Sequence, residues 1–148
     1  MGHSIEAIIT KGNLDKKILS KYDLPCFFHE NFSIIGLDAS HSDFWAEKLN
    51  KLNNSEGKIG LNCAITHFFA TELGLSEYAV ISTDYFGGVG EQYAIVYNSG
   101  KVIMEETENG INHALKILGV RTKENQDEFD TISLYRYRSF EKYFIKYQ

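Results

Sequence analysis

Apolar positions recur along this chain in two rhythms, and the switches between them divide it into strands and helices. Ser4 to Thr10 is rich in β-branched residues and reads as a first strand, stopped by Lys11-Gly12. After Asn13, a residue able to cap a helix, Leu14, Ile18 and Tyr22 recur at helical spacing. The short helix they predict must end before Pro25, because the residue preceding proline avoids helical backbone. Cys26-Phe27-Phe28 and Phe32-Ser33-Ile34-Ile35 flank His29-Glu30-Asn31 as two strands flank a hairpin turn. Ser40 and Asp43 resemble a capping box opening a helix that carries Phe44, Trp45, Leu49 and Leu52 toward the core, and Asn53-Asn54-Ser55-Glu56-Gly57 breaks it.

Leu61 to Leu73 is apolar around most of its circumference, through Leu61, Ala64, Ile65, Phe68, Phe69 and Leu73, which predicts a central buried helix ending at Gly74. Tyr78 to Tyr85, Gln92 to Tyr97 and Lys101 to Thr107 return to strand patterning and form a three-stranded antiparallel meander. Its connections are the glycine-rich Asp84 to Gln92 and the short turn Asn98-Ser99-Gly100. Ile111, Ala114, Leu115 and Leu118 predict a further helix closed by Gly119. Phe140, Tyr143, Phe144 and Tyr147 share one face of a C-terminal helix, directed to the core, while Asp127 to Tyr137 fits either helix or strand. The expected fold is α+β over a single globular domain, residues 1–148: an antiparallel sheet with the meander in its C-terminal half and helices packed mainly on one face.

Charge narrows the function classes. The chain carries a formal charge of -5 with a pI near 5.5, which argues against nucleic acid as a direct partner, since phosphate binding draws on clustered Lys and Arg. A basic protein partner suits this balance better. Glu105, Glu106, Glu108, Glu124, Asp127, Glu128 and Asp130 crowd one stretch, with Arg136, Arg138, Lys142 and Lys146 following. No basic leader followed by a long apolar stretch opens the sequence, and no run approaches the roughly 18 apolar residues that span a bilayer. Cys26 and Cys63 sit in apolar runs as buried thiols, so a cytoplasmic setting without membrane contact is expected.

The glycine loop is a strand-to-strand connection and not a phosphate cradle, which would run from a strand into a helix. No Lys or Arg stands within it, and Asp84 and Glu91 flank it with negative charge. Cys63 and His67 lie four apart and share a helical face, but two ligands do not complete a zinc site; a buried thiol beside a hydrogen-bonded histidine is the simpler reading. His41-Ser42-Asp43 holds the residue types of a hydrolase triad in a geometry that cannot serve one, because adjacent side chains at a helix start diverge. Neither a catalytic motif nor a cofactor or metal requirement is expected.

The opening Met1-Gly2-His3-Ser4-Ile5-Glu6-Ala7-Ile8-Ile9, the loop Tyr85-Phe86-Gly87-Gly88-Val89-Gly90 and the closing Asp127-Glu128-Phe129-Asp130-Thr131-Ile132-Ser133-Leu134-Tyr135-Arg136-Tyr137-Arg138 resemble a family of small, largely uncharacterised bacterial proteins. In character the chain also resembles the immunity proteins that accompany bacterial toxin domains, such as those of contact-dependent growth inhibition. That resemblance implies a non-enzymatic protein that neutralises a cognate basic toxin domain, a nuclease, through an acidic surface. The side chains expected to make that surface are Asp84, Tyr85, Glu91, Glu105, Glu106, Glu108, Asp127, Glu128 and Asp130. The competing readings are an enzyme with a small-molecule site at the glycine loop and a self-associating accessory protein.

Overall fold

The computed structural model describes residues 2–55 and 57–148; Met1 of the opening segment and Glu56 of the predicted break lie outside the described residues. Among these residues six strands, β1 (Gly2–Lys11), β2 (Cys26–His29), β3 (Phe32–Leu37), β4 (Glu77–Phe86), β5 (Val89–Asn98) and β6 (Lys101–Glu108), form one sheet in the order β2-β3-β1-β4-β5-β6. Every pairing is antiparallel. Among the described residues five helices, α1 (Lys16–Lys21), α2 (Ala39–Lys48), α3 (Ala64–Glu72), α4 (Ile111–Leu118) and α5 (Glu128–Thr131), complete the α+β fold with short 3-10 turns toward the C-terminus.

Three hairpins use two-residue turns with both residues at positive φ: Glu30-Asn31 (+52°, +70°), Gly87-Gly88 (+60°, +81°) and Ser99-Gly100 (+53°, +80°). This backbone matches the right-handed twist of the strands it joins, which is why Asn and Gly populate these positions. The strand pairings predicted from apolar rhythm follow directly from these turns.

Central strand β1 explains the apolar density of its sequence. Ile5, Ala7 and Ile9 face one core together with Ile34, Ile81, Val96 and the buried side of α4. Ile8 faces the other, together with Ile35, Val80 and Ile95 and the inner sides of α1, α2 and α3. Three of the five helices therefore lie on one face, while α4, α5 and the C-terminal turns cover the other. Strands buried on both faces read as continuous apolar runs and not as alternation.

Several local expectations shift. Asp15, not Asn13, caps α1, its carboxylate accepting from Lys17 N at 2.8 Å. Helix α2 is capped by Asp38, which accepts from His41 N at 3.1 Å, and not by the Ser40-Asp43 pair. The cap lies two residues earlier than predicted, and the face of the helix that points inward carries His41, Ser42, Trp45 and Ala46. Phe44 is 44% exposed and Leu52, beyond the end of α2, is 87% exposed, so neither enters the core. Leu61 is buried but precedes α3, which begins at Ala64 behind the N-cap residue Cys63. The C-terminal aromatics occupy two 3-10 turns, Glu141–Tyr143 and Ile145–Tyr147, in place of a continuous helix. Phe140 and Phe144 are buried as expected, whereas Tyr143 is exposed and Tyr147 is half-buried.

Gly36 in β3 shows how this tail is seated. A Cβ there would stand 2.8 to 3.1 Å from the Phe140 ring, so the missing side chain makes room for the phenyl group. From that seat the tail reaches Phe144, whose ring centroid lies 4.8 Å from that of His41, and Tyr147, whose hydroxyl donates to Asp23. No helix among the described residues is long and apolar enough to cross a membrane.

Candidate functional site

The β4-β5 hairpin carries its turn glycines at the tip and an apolar pair directly behind them. Phe86 and Val89 oppose one another across the strands and are 78% and 79% exposed. The next pair is Tyr85 with Gly90, followed by Asp84 with Glu91. A Cβ on Gly90 would collide with the Asp84 carbonyl oxygen and stand 2.7 Å from Tyr85 Cα, so this position is closed to any larger residue without a backbone shift. The sequence expectation of a tight strand connection holds, with glycine required for close approach as well as for the turn.

Acidic side chains gather on the α1–α3 side of this hairpin. Asp84 and Glu91 are cross-strand neighbours of like charge, an arrangement that disfavours the isolated sheet. Tyr93 donates its hydroxyl to Glu91 Oε2 at 3.1 Å and pairs across the sheet with Glu108. The Tyr93 hydroxyl is held above the ordinary tyrosine range by lost solvation, by its bond to Glu91 and by the charges of Glu108, Glu91 and Glu106. Asp84, Glu91 and Tyr93 also line a cavity of about 200 Å³ with Glu6 and Lys58.

Not every acid here is free to meet a partner. Both Glu106 carboxylate oxygens accept from Lys58 N, at 2.9 and 3.0 Å, and Oε1 also accepts from Ile59 N at 3.1 Å. Glu106 thus fastens the segment before α3 to the meander. Glu6 does the same further in, accepting from Leu61 N at 2.9 Å. Burial pushes its carboxyl upward, offset in part by the Leu61 and Gly60 amides. Sequence reasoning missed Glu6 because it sits within an apolar strand; a lone charge in such a run was the available signal.

The remaining predicted acids lie elsewhere. Glu105 is exposed on edge strand β6. Asp127 caps α5, accepting from Asp130 N at 2.8 Å, and its other oxygen accepts from Asn112 Nδ2 at 3.1 Å. Burial and the Asp127 charge raise the Asp130 carboxyl, while Glu128 occupies the first turn of the same helix. Tyr85 joins Asp127 in lining a cavity on the α4–α5 side. The candidate set therefore divides between the faces of the sheet: Asp84, Glu91, Glu106 and Glu108 around Tyr93, and Tyr85 with the α5 acids opposite.

The predicted Cys63-His67 pair resolves into separate structural roles. Cys63 is buried, with Sγ 3.6 Å from Ser42 Oγ and 3.7 Å from Thr66 Oγ1. His67 places Nδ1 2.7 Å from the Tyr78 hydroxyl and Nε2 2.7 Å from Asn62 Oδ1, which also accepts from the Tyr97 hydroxyl at 3.1 Å. Burial, with Tyr97 adding to it, pushes the Tyr78 hydroxyl up to about 12. The His41-Ser42-Asp43 run diverges as expected: His41 Nε2 meets the Tyr22 carbonyl at 2.6 Å, Ser42 accepts from Asn53 Nδ2, and Asp43 is exposed. Among the described residues no group of three or more His, Cys, Asp or Glu is placed to hold a metal ion.

Comparison with protein-family models, with curated proteins and with solved structures gives no match.

Proposed function

We propose that this chain is an immunity-type binding protein that neutralises a basic bacterial toxin domain, a nuclease, by docking the acidic side of its β4-β5 hairpin onto it. The observation that carries this reading is the placement of Phe86 and Val89, an exposed apolar pair, on the same face of the hairpin as Asp84 and Glu91, with Glu108 beyond them opposite Tyr93. Apolar side chains packed at an interface centre supply most of the affinity, while surrounding charge selects the partner and accelerates encounter. The like charges that Asp84 and Glu91 set against one another across the strands support the same reading, because a cationic partner relieves them.

The anchors and the acids have separable roles. Phe86 and Val89 hold the complex together and chiefly set its dissociation rate; Asp84, Glu91 and Glu108 steer association and lose influence as salt screens them. Glu106 contributes through the fold, because its carboxylate is taken up by the Lys58 and Ile59 amides. Co-expression with a toxin domain encoded beside this chain tests the proposal. Growth is restored by the intact protein and lost with Phe86→Ser/Val89→Ser, provided that variant unfolds at the same denaturant concentration. Death with the intact protein, at confirmed expression, contradicts the reading.

A further inference from the structure

The opposite side of the same hairpin holds a cavity of about 340 Å³, within the range of roughly 300–1,000 Å³ that accommodates small ligands. Three aromatic side chains from distant parts of the sequence line it: Tyr85 from β4, Phe129 from α5 and Tyr135 from the turn that follows. Asp127 supplies a carboxylate at the same cavity. No lysine or arginine is among its lining residues.

Contacts within the fold fix the side of the cavity that carries Phe129 and Asp127. His3 Nδ1 lies 2.7 Å from Thr83 Oγ1 and Nε2 donates to the Leu134 carbonyl at 3.2 Å, while the ring centroid stands 5.5 Å from that of Phe129. Burial keeps this imidazole below the ordinary histidine range, so it adds no positive charge near neutral pH. Asn112 is held on both sides, donating to Asp127 and accepting from Phe129 N at 2.9 Å. The Asp127 oxygens accept one hydrogen bond each from within the fold, and a carboxylate oxygen can accept more.

Aromatic faces around a fixed carboxylate recognise a cation: the ring quadrupoles attract positive charge and the carboxylate neutralises it. A planar guanidinium satisfies both groups better than a compact ammonium, because it can stack on a ring while its edge donates to oxygen. We infer that this cavity receives an arginine side chain of the basic partner, held by Tyr85, Phe129 and Tyr135 and neutralised by Asp127. The inference rests on the docking function proposed above and extends it, giving the hairpin a specificity pocket on the face opposite its acidic surface.

The test uses the full chain and N-acetyl-arginine methylamide, with the neutral citrulline analogue as control, followed by NMR of the aromatic and backbone resonances. The arginine compound should cause saturable shifts at Tyr85, Phe129 and Tyr135 at millimolar concentration, and the citrulline compound none. Asp127→Asn retains a capping side chain for α5 and should weaken binding about fivefold or more; Tyr135→Ala should weaken it about threefold. Equal shifts from both compounds, no saturable shift, or undiminished binding by a folded Asp127→Asn variant would overturn the assignment. Since no toxin enters this experiment, its failure removes the pocket alone, whereas failed rescue by the intact protein removes the docking function.

Discussion

The C-terminal tail and the β4-β5 hairpin are built from the same kinds of residue and meet opposite fates. Each combines phenylalanine and tyrosine with neighbouring charge. In the tail, Phe140 sits on Gly36 and Phe144 beside His41, both fully enclosed. In the hairpin, Phe86 and Val89 project into solvent behind a glycine turn that offers them nothing to pack against. Aromatic content alone therefore does not separate core from contact surface. What separates them is whether another element supplies a seat, as the bare backbone of Gly36 does for Phe140.

The largest contrast is expected in stability. Phe140→Ala should cost about 3–5 kcal/mol in denaturant unfolding, through lost burial and the cavity left above Gly36. Phe86→Ala should stay within about 0.5 kcal/mol, since its side chain gains little from folding. A similar cost at both positions would erase the distinction. Next comes the hairpin backbone: Gly90→Val should destabilise by about 1–3 kcal/mol as the strands separate around the Asp84 carbonyl. Hydrogen exchange should then rise across Tyr85 to Glu91 while the tail stays protected.

For the partner complex, Asp84→Asn/Glu91→Gln/Glu108→Gln should lower the association rate about tenfold at low salt and little at high salt, with unfolding unchanged or slightly improved. Acidification near neutrality should have a smaller effect, concentrated on the tail side of the molecule. Burial, though partly opposed by the Tyr22 carbonyl and nearby Asp38 and Asp23, holds His41 below the ordinary 6.5; burial also lowers His3. As pH falls below 6.5 the unfolded chain takes up these protons first, so stability declines through that window and stops declining below the folded-state values. A folded His41→Gln variant should flatten the midpoint-against-pH curve. The smallest effect is expected from Lys123→Ala, which removes an ion pair to Glu30 between two half-exposed side chains and should change stability by less than about 0.5 kcal/mol.

Much of this architecture was legible because local chemistry and tertiary structure agree. The turn pairs Glu30-Asn31, Gly87-Gly88 and Ser99-Gly100 occupy the conformations their residue types favour, and α3 and α4 stop at Gly74 and Gly119 with φ of +71° and +103°. Phe44 departs from the expectation because the inward side of this short helix carries Ser42, Trp45 and Ala46, which leaves the neighbouring position 44 at the surface. The C-terminal aromatics have helical spacing, yet their packing on Gly36 and His41 favours tighter turns. The acidic surface was visible as composition but not as geometry. Sequence could not reveal that Glu106 is tied to backbone amides, or that Tyr85 and Asp127, with 41 residues between them, line one cavity.

The most direct test of the central claim is growth of cells expressing the neighbouring toxin domain with either the intact chain or the folded Phe86→Ser/Val89→Ser variant. Survival with the intact chain and death with the variant are expected. Equal survival with both would contradict docking through the hairpin.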